Sequence, residues 1–74
     1  MMQSEIRVQV ASVPDRTELV AELWHGDAMW GELRGQASAL ILELYPNPSG
    51  GSWSFALEHV MDALGRAQQQ LLNG

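Results

Sequence analysis

The chain has 74 residues, so it is long enough for one domain, residues 1–74, and too short for two. Its net charge of −5, with no lysine, argues against nucleic acid as a partner, because that affinity depends on cation–phosphate contacts. There is no cysteine to form a disulfide, so a second copy of the chain is the expected source of the extra burial that a small domain needs.

The sequence carries no signal for a membrane or for secretion. No stretch of about 18 apolar residues is present, so a membrane-spanning helix is not expected. Residues 1–5 lack the basic start and apolar core of a signal peptide. The absence of cysteine agrees with a reducing compartment. We therefore expect a cytoplasmic protein without a membrane partner.

The first half of the chain predicts three strands. Residues 6–10 alternate apolar and polar side chains, the period of a half-buried strand, and Pro14 and Asp15 predict a turn after it. Residues 18–24 and 29–34 are two further strand candidates. The short loop between them contains glycine, which is typical of a β-hairpin.

The register of this hairpin is ambiguous. A two-residue loop pairs Trp24 with Met29, whereas a three-residue loop pairs Trp24 with Trp30. We favour the second register, although it places Glu22 opposite Glu32, and like charges across a ladder are destabilising. It gathers both indoles on one face. The other face then forms a compact apolar group: Ala21, Leu23, Met29, Gly31 and Leu33.

Residues 39–45 predict the fourth strand, and its leucines are expected to form the core face. Ile41, Glu43 and Tyr45 then point the other way. The prolines and glycines of residues 46–52 predict a structural turn from sheet to helix. The run in residues 45–50 resembles the strand–turn–helix joint of small bacterial proteins, and this resemblance implies no activity. The leucines of the fourth strand that are expected to face the core are Leu40, Leu42 and Leu44.

A helix is predicted for residues 56–72. Ser54 is a candidate N-cap; if the cap is Ala56 instead, Phe55 and Val60 can form a hydrophobic staple. Gly65 is expected to mark close packing on the sheet. The predicted fold class is α+β: a four-stranded antiparallel β-meander with one C-terminal α-helix packed on one face (ββββα). The apolar face of the predicted helix comprises Leu57, Val60, Met61, Leu64, Ala67 and Leu71.

The sequence predicts no catalytic, cofactor or metal site, and hence no enzyme. His25 and Asp27 flank a turn, and His59 and Asp62 share a helical face, but neither spacing is diagnostic of a metal site. Clustered glutamates can perform acid–base chemistry. A four-stranded sheet with one helix, however, leaves little room for the concave pocket that catalysis needs.

One helix covers one face of a sheet, so the helix-free face should present aromatic residues to a partner. A charged rim around apolar residues is typical of an interaction site. We therefore predict a small non-enzymatic protein–protein interaction module that forms a homodimer through this face. The predicted interaction residues are Glu22, Trp24, Trp30, Glu32, Ile41, Glu43 and Tyr45.

Two alternatives fit the same residues. Trp53, Phe55 or the N-terminal segment could fold over the aromatic rings and make them a second small core. The charge of −5 also fits an acidic inhibitor, of the immunity, antitoxin or phage-encoded anti-defence kind. Such a protein would bind a basic nucleic-acid-binding enzyme, with an association rate that falls in salt.

Overall fold

The computed structural model describes residues 6–12, 19–36 and 39–73. They form four strands and a helix, and the neighbouring strands are antiparallel in the order β1-β2-β3-β4. The ββββα fold is confirmed, with every element boundary within two residues of its prediction. The predicted turn at Pro14 and Asp15 lies outside the described residues. The elements are β1 Ile6–Ser12, β2 Leu19–His25, β3 Ala28–Gln36, β4 Ala39–Leu44 and α1 Leu57–Asn73.

The core lies between α1 and one face of the sheet. Ala63 and Ala67 of α1 are fully buried, and their small side chains let the helix backbone approach the strands. The prediction that Gly65 marks close packing on the sheet is wrong, because Gly65 is exposed and an added Cβ would meet no atom within 4 Å. The buried core cluster comprises Ile6, Ala21, Leu23, Trp30, Leu33, Ala63 and Ala67.

The β2–β3 hairpin combines both registers that the sequence allows. At its tip a two-residue turn pairs Trp24 with Met29, so the favoured pairing of the two indoles is wrong. A β-bulge follows, and beyond it Glu22 lies opposite Glu32, as the three-residue register requires. The extra residue in the bulge is Trp30. Met29 consequently lies on the helix-free face with Trp24, and not in the core group where we expected it.

The bulge turns the Trp30 indole toward the helix side of the sheet. Trp30 is only 4% exposed, and its ring lies 5.0 Å from that of Phe55. A bulge re-aims a side chain at the cost of one ladder position. The burial of an indole, among the largest apolar surfaces a residue offers, compensates for that cost. Trp30 is therefore a core residue, and its predicted place on the helix-free face is wrong.

The turn between β4 and α1 is held by Asn47. Its Oδ1 accepts from the Ser49 N–H at 3.0 Å, and its Nδ2 donates to the Ser52 carbonyl at 3.2 Å. Gly50 and Gly51 both have positive φ, 82° and 75°, which glycine adopts without steric cost. These contacts give the loop a structural role, as the sequence predicted.

Trp53 and Phe55 cover the helix side of the sheet rather than the helix-free face. Their rings stack with centroids 5.8 Å apart, and Phe55 meets Trp30 on one side and His25 on the other. The indole N–H of Trp53 donates to the carbonyl of Tyr45 at 2.9 Å. These two residues therefore extend the main core and do not cover the helix-free face. The N-terminal segment, the other predicted cover, lies outside the described residues.

Candidate interaction surface

Three glutamates form a row across the helix-free face of the sheet. Glu22 lies directly opposite Glu32, and Glu32 lies directly opposite Glu43. Each carboxylate has a donor: the Trp24 indole N–H bonds to Glu22 at 3.1 Å, and Arg34 forms ion pairs with both Glu32 and Glu43. The like charges in the ladder are thus offset by hydrogen bonds within the same face.

The aromatic residues of this face are also engaged within it. The Arg7 guanidinium lies 5.2 Å from the centre of the Trp24 ring, in cation–π geometry. The pKa of Tyr45 is raised to about 12, mainly by partial burial of the phenol and secondly by its hydrogen bond to Glu32. Ile41 is half-buried beside Arg34. The structure therefore gathers six of the seven predicted interaction residues on one face and sends the seventh, Trp30, into the core.

The exposed apolar surface lies on the other side of the sheet. Leu40, Leu42 and Leu44 share the core face, since Leu42 is directly opposite the buried Leu33. α1 packs on β1, β2 and β3 but makes no contact with β4. As a result the three leucines remain 38%, 41% and 63% exposed. The prediction of their face is confirmed, and the expectation that the helix covers them is wrong.

One flank of α1 adds to this surface. The opposite flank carries Arg66, whose Nη2 donates to the carbonyl of Ile6 in β1 at 3.3 Å. With about 3.6 residues per turn, Leu57, Met61 and Leu72 project on the flank away from Arg66, and so away from Ile6. They are 74%, 63% and 71% exposed. We call these three residues and the leucines of β4 the apolar flank.

The apolar flank accounts for all the large, exposed hydrophobic side chains of the described residues. Together, the exposed fractions of its six residues equal about three and a half fully exposed side chains. This corresponds to a surface on the order of 600 Å². A monomer's largest apolar patch typically spans roughly 300–600 Å² and often marks an interaction site. The sequence contained the signal, an all-leucine strand face, but did not reveal how far the helix extends across the sheet.

A shallow cleft of about 410 Å³ lies where the hairpin tip meets the β4–α1 turn. His25 and Asp27 line one side, and Trp53 and Phe55 line the other. The Nδ1 atom of His25 is buried and has no hydrogen-bond partner among the described residues. No described hydrogen bond links this histidine to the serines of the cleft, namely Ser49, Ser52 and Ser54.

Within residues 6–12, 19–36 and 39–73, no three histidine or acidic side chains lie close enough to hold a metal ion. In the same ranges no helix has both the length and the hydrophobicity needed to cross a bilayer. No protein-family model, curated protein or solved structure matches the chain.

Proposed function

We propose that this chain is a small non-enzymatic interaction module that forms a homodimer by packing its apolar flank against that of a second copy. The observation that carries the proposal is the exposure of Leu44, Leu57 and Met61, each at 63% or more, on one side of the domain. The helix-free face, by contrast, satisfies its own polar groups. The proposed surface therefore differs from the aromatic face that the sequence indicated.

The amount of apolar surface is sufficient for a dimer. Burying a leucine-sized side chain contributes roughly 1.5–3 kcal/mol, so the flank of one protomer contributes about 5–10 kcal/mol. Two protomers double this figure, and association costs about 4–15 kcal/mol. The gain exceeds the cost over most of this range. A small domain without a disulfide also benefits from additional burial.

A matched pair of variants tests the choice of surface. Leu44→Ser removes an exposed side chain of the apolar flank, and Trp24→Ser removes a large residue from the helix-free face. Sedimentation velocity between about 1 and 500 µM measures self-association, and circular dichroism checks the fold. We expect Leu44→Ser to shift the dimer toward monomer and Trp24→Ser to leave it intact. The opposite ranking would assign the interface to the aromatic face.

A second candidate function is inhibition of a basic nucleic-acid-binding enzyme through the helix-free face. The row of Glu22, Glu32 and Glu43 supports it, because adjacent carboxylates create a negative stripe to which a cationic surface is complementary. Its ion pairs with Arg34 reduce that charge, so we rank this function second.

Salt dependence distinguishes this candidate. Binding to a panel of basic nucleases would be measured by surface plasmon resonance between about 50 and 500 mM salt, with the triple Glu→Gln variant of the row as control. An association rate that falls steeply with salt, and is lost in the variant, would support inhibition. Absent or salt-insensitive binding would leave the homodimer as the sole proposal.

A further inference from the structure

The backbone of β4 presents unpaired groups at the free edge of the sheet. The N–H of Tyr45 donates to the carbonyl of Trp30 at 3.0 Å, so the backbone groups of Tyr45 face β3. Successive residues of a strand direct these groups to alternate sides. Glu43 and Ile41 therefore also face β3. The N–H and C=O groups of the alternating residues Leu40, Leu42 and Leu44 point outward, to an edge that no other described strand occupies.

The exposed side chains and the unpaired backbone groups consequently belong to the same three residues: Leu40, Leu42 and Leu44. Natural sheets protect an edge strand with proline, lysine, a bulge or a covering element. β4 contains no proline or lysine, its pairing with β3 is regular, and α1 does not reach it. The one charged side chain of β4, Glu43, is paired with Arg34 on the helix-free face, so this edge lacks most of the usual protective features.

We infer that a second copy of the chain adds its β4 to this edge in antiparallel orientation, so that the two sheets join into one of eight strands. This inference rests on the proposed homodimer and specifies its geometry. The uncovered position of β4 makes the approach sterically possible, because the helix of each protomer lies back over β1–β3. A two-fold axis through the junction generates the self-complementary contact typical of dimers.

The sequence of β4 selects the register. Directly opposed residues of an antiparallel pair share a face, so leucines must oppose leucines. With Leu42 opposite its own copy, Leu40 meets Leu44, and every outward N–H and C=O of the three leucines finds a partner. Ile41 then opposes Glu43. If the register were shifted by two residues, so that Leu42 lay opposite Leu44 of the second copy, the two Glu43 carboxylates would oppose each other, which is unfavourable.

The other edge of the sheet is less suited to this pairing. The core-facing residues of β1 lie under α1, and Arg66 already donates to the carbonyl of Ile6. Outward-facing Arg7 and Gln9 are exposed and polar. No large exposed hydrophobic residue is found in β1. The edges thus differ in chemistry, and β4 is the one that matches a second copy of itself.

Residue-resolved amide hydrogen exchange by NMR, at a dilute and a concentrated condition, tests the inference. In the dimer the N–H groups of Leu40, Leu42 and Leu44 should exchange at least about ten-fold more slowly than in the monomer. Those of Ile41 and Glu43, already bonded to β3, should be protected at both concentrations. Sedimentation on the same samples gives the oligomeric state.

The outcomes separate this inference from the proposed function. A dimer whose leucine amides keep the monomer's exchange rate would overturn edge pairing, and the apolar flank would remain the interface. A chain that stays monomeric would overturn both. As a second measure, Leu42→Cys should form an intermolecular disulfide under mild oxidation, because the two residues face each other across the axis. Gln9→Cys, an exposed position of β1 at the opposite edge of the sheet, is the control, and equal cross-linking of both variants would contradict the register.

Discussion

Two glycines of β3, Gly31 and Gly35, offer a test of the sheet geometry. Both face the helix side, and neither has the left-handed φ that disfavours other residues. A Cβ at Gly31 would lie 2.8 Å from the carbonyl oxygen of Glu43 and 3.3 Å from Leu44 Cδ2. A Cβ at Gly35 would meet no atom within 4 Å. Alanine at these two positions should therefore have opposite effects.

The magnitudes follow from two terms. Replacing a strand glycine with alanine stabilises by about 0.4–1 kcal/mol, because the unfolded chain loses conformational freedom. At Gly31 the backbone of β4 must also move, and overpacking of this kind costs roughly 1–3 kcal/mol. We therefore expect Gly31→Ala to be about 1–3 kcal/mol less stable than Gly35→Ala. For a domain of this size each kcal/mol changes Tm by about 4–8 °C.

Urea unfolding followed by circular dichroism measures the difference, at one dilute concentration so that self-association contributes equally. Thermal unfolding of the same samples gives the Tm difference. If Gly31→Ala proved as stable as Gly35→Ala, β4 would have to lie farther from Gly31 than described. The register that places Leu44 over this glycine would then be wrong.

Three further predictions concern single residues. Spectrophotometric titration should place the pKa of Tyr45 near 12, and Glu32→Gln should lower it; an unchanged value would exclude their interaction. Because the folded pKa exceeds the unfolded one of about 10, the stability Tyr45 confers is complete below pH 10 and lost toward pH 12. Gly65→Ala should stabilise by about 1 kcal/mol in urea unfolding, since the site is exposed and open; destabilisation would contradict that placement. Gly50→Ala should destabilise by roughly 1 kcal/mol in the same assay, because φ is 82°; a neutral effect would refute the turn geometry.

Periodicity sufficed to predict the elements because each strand and the helix has a consistent apolar face. The alternation in residues 6–10 and the leucines of β4 identified their faces correctly. The apolar periodicity of the helix also predicted its first residue to within one position. Such local signals depend only on near neighbours in the chain, which a sequence displays directly.

The burial or exposure of the residues in the candidate site depends on tertiary contacts, which no local sequence pattern contains. Trp30 enters the core because Phe55, which follows it by 25 residues, provides a ring to pack against, and a bulge makes this possible. The exposure of the β4 leucines depends on where the helix lies across the sheet. That position is set by the fit of Ala63 and Ala67 over the first strands, a tertiary property.

The central claim is that the apolar flank docks a second copy of the chain, and the mass of the native protein tests it most directly. Sedimentation equilibrium across a dilution series should show a mass that rises from 8.2 kDa toward twice that value as concentration increases. A mass that stays at 8.2 kDa up to about 500 µM would contradict the claim, since a monomer would then tolerate the whole apolar flank in water.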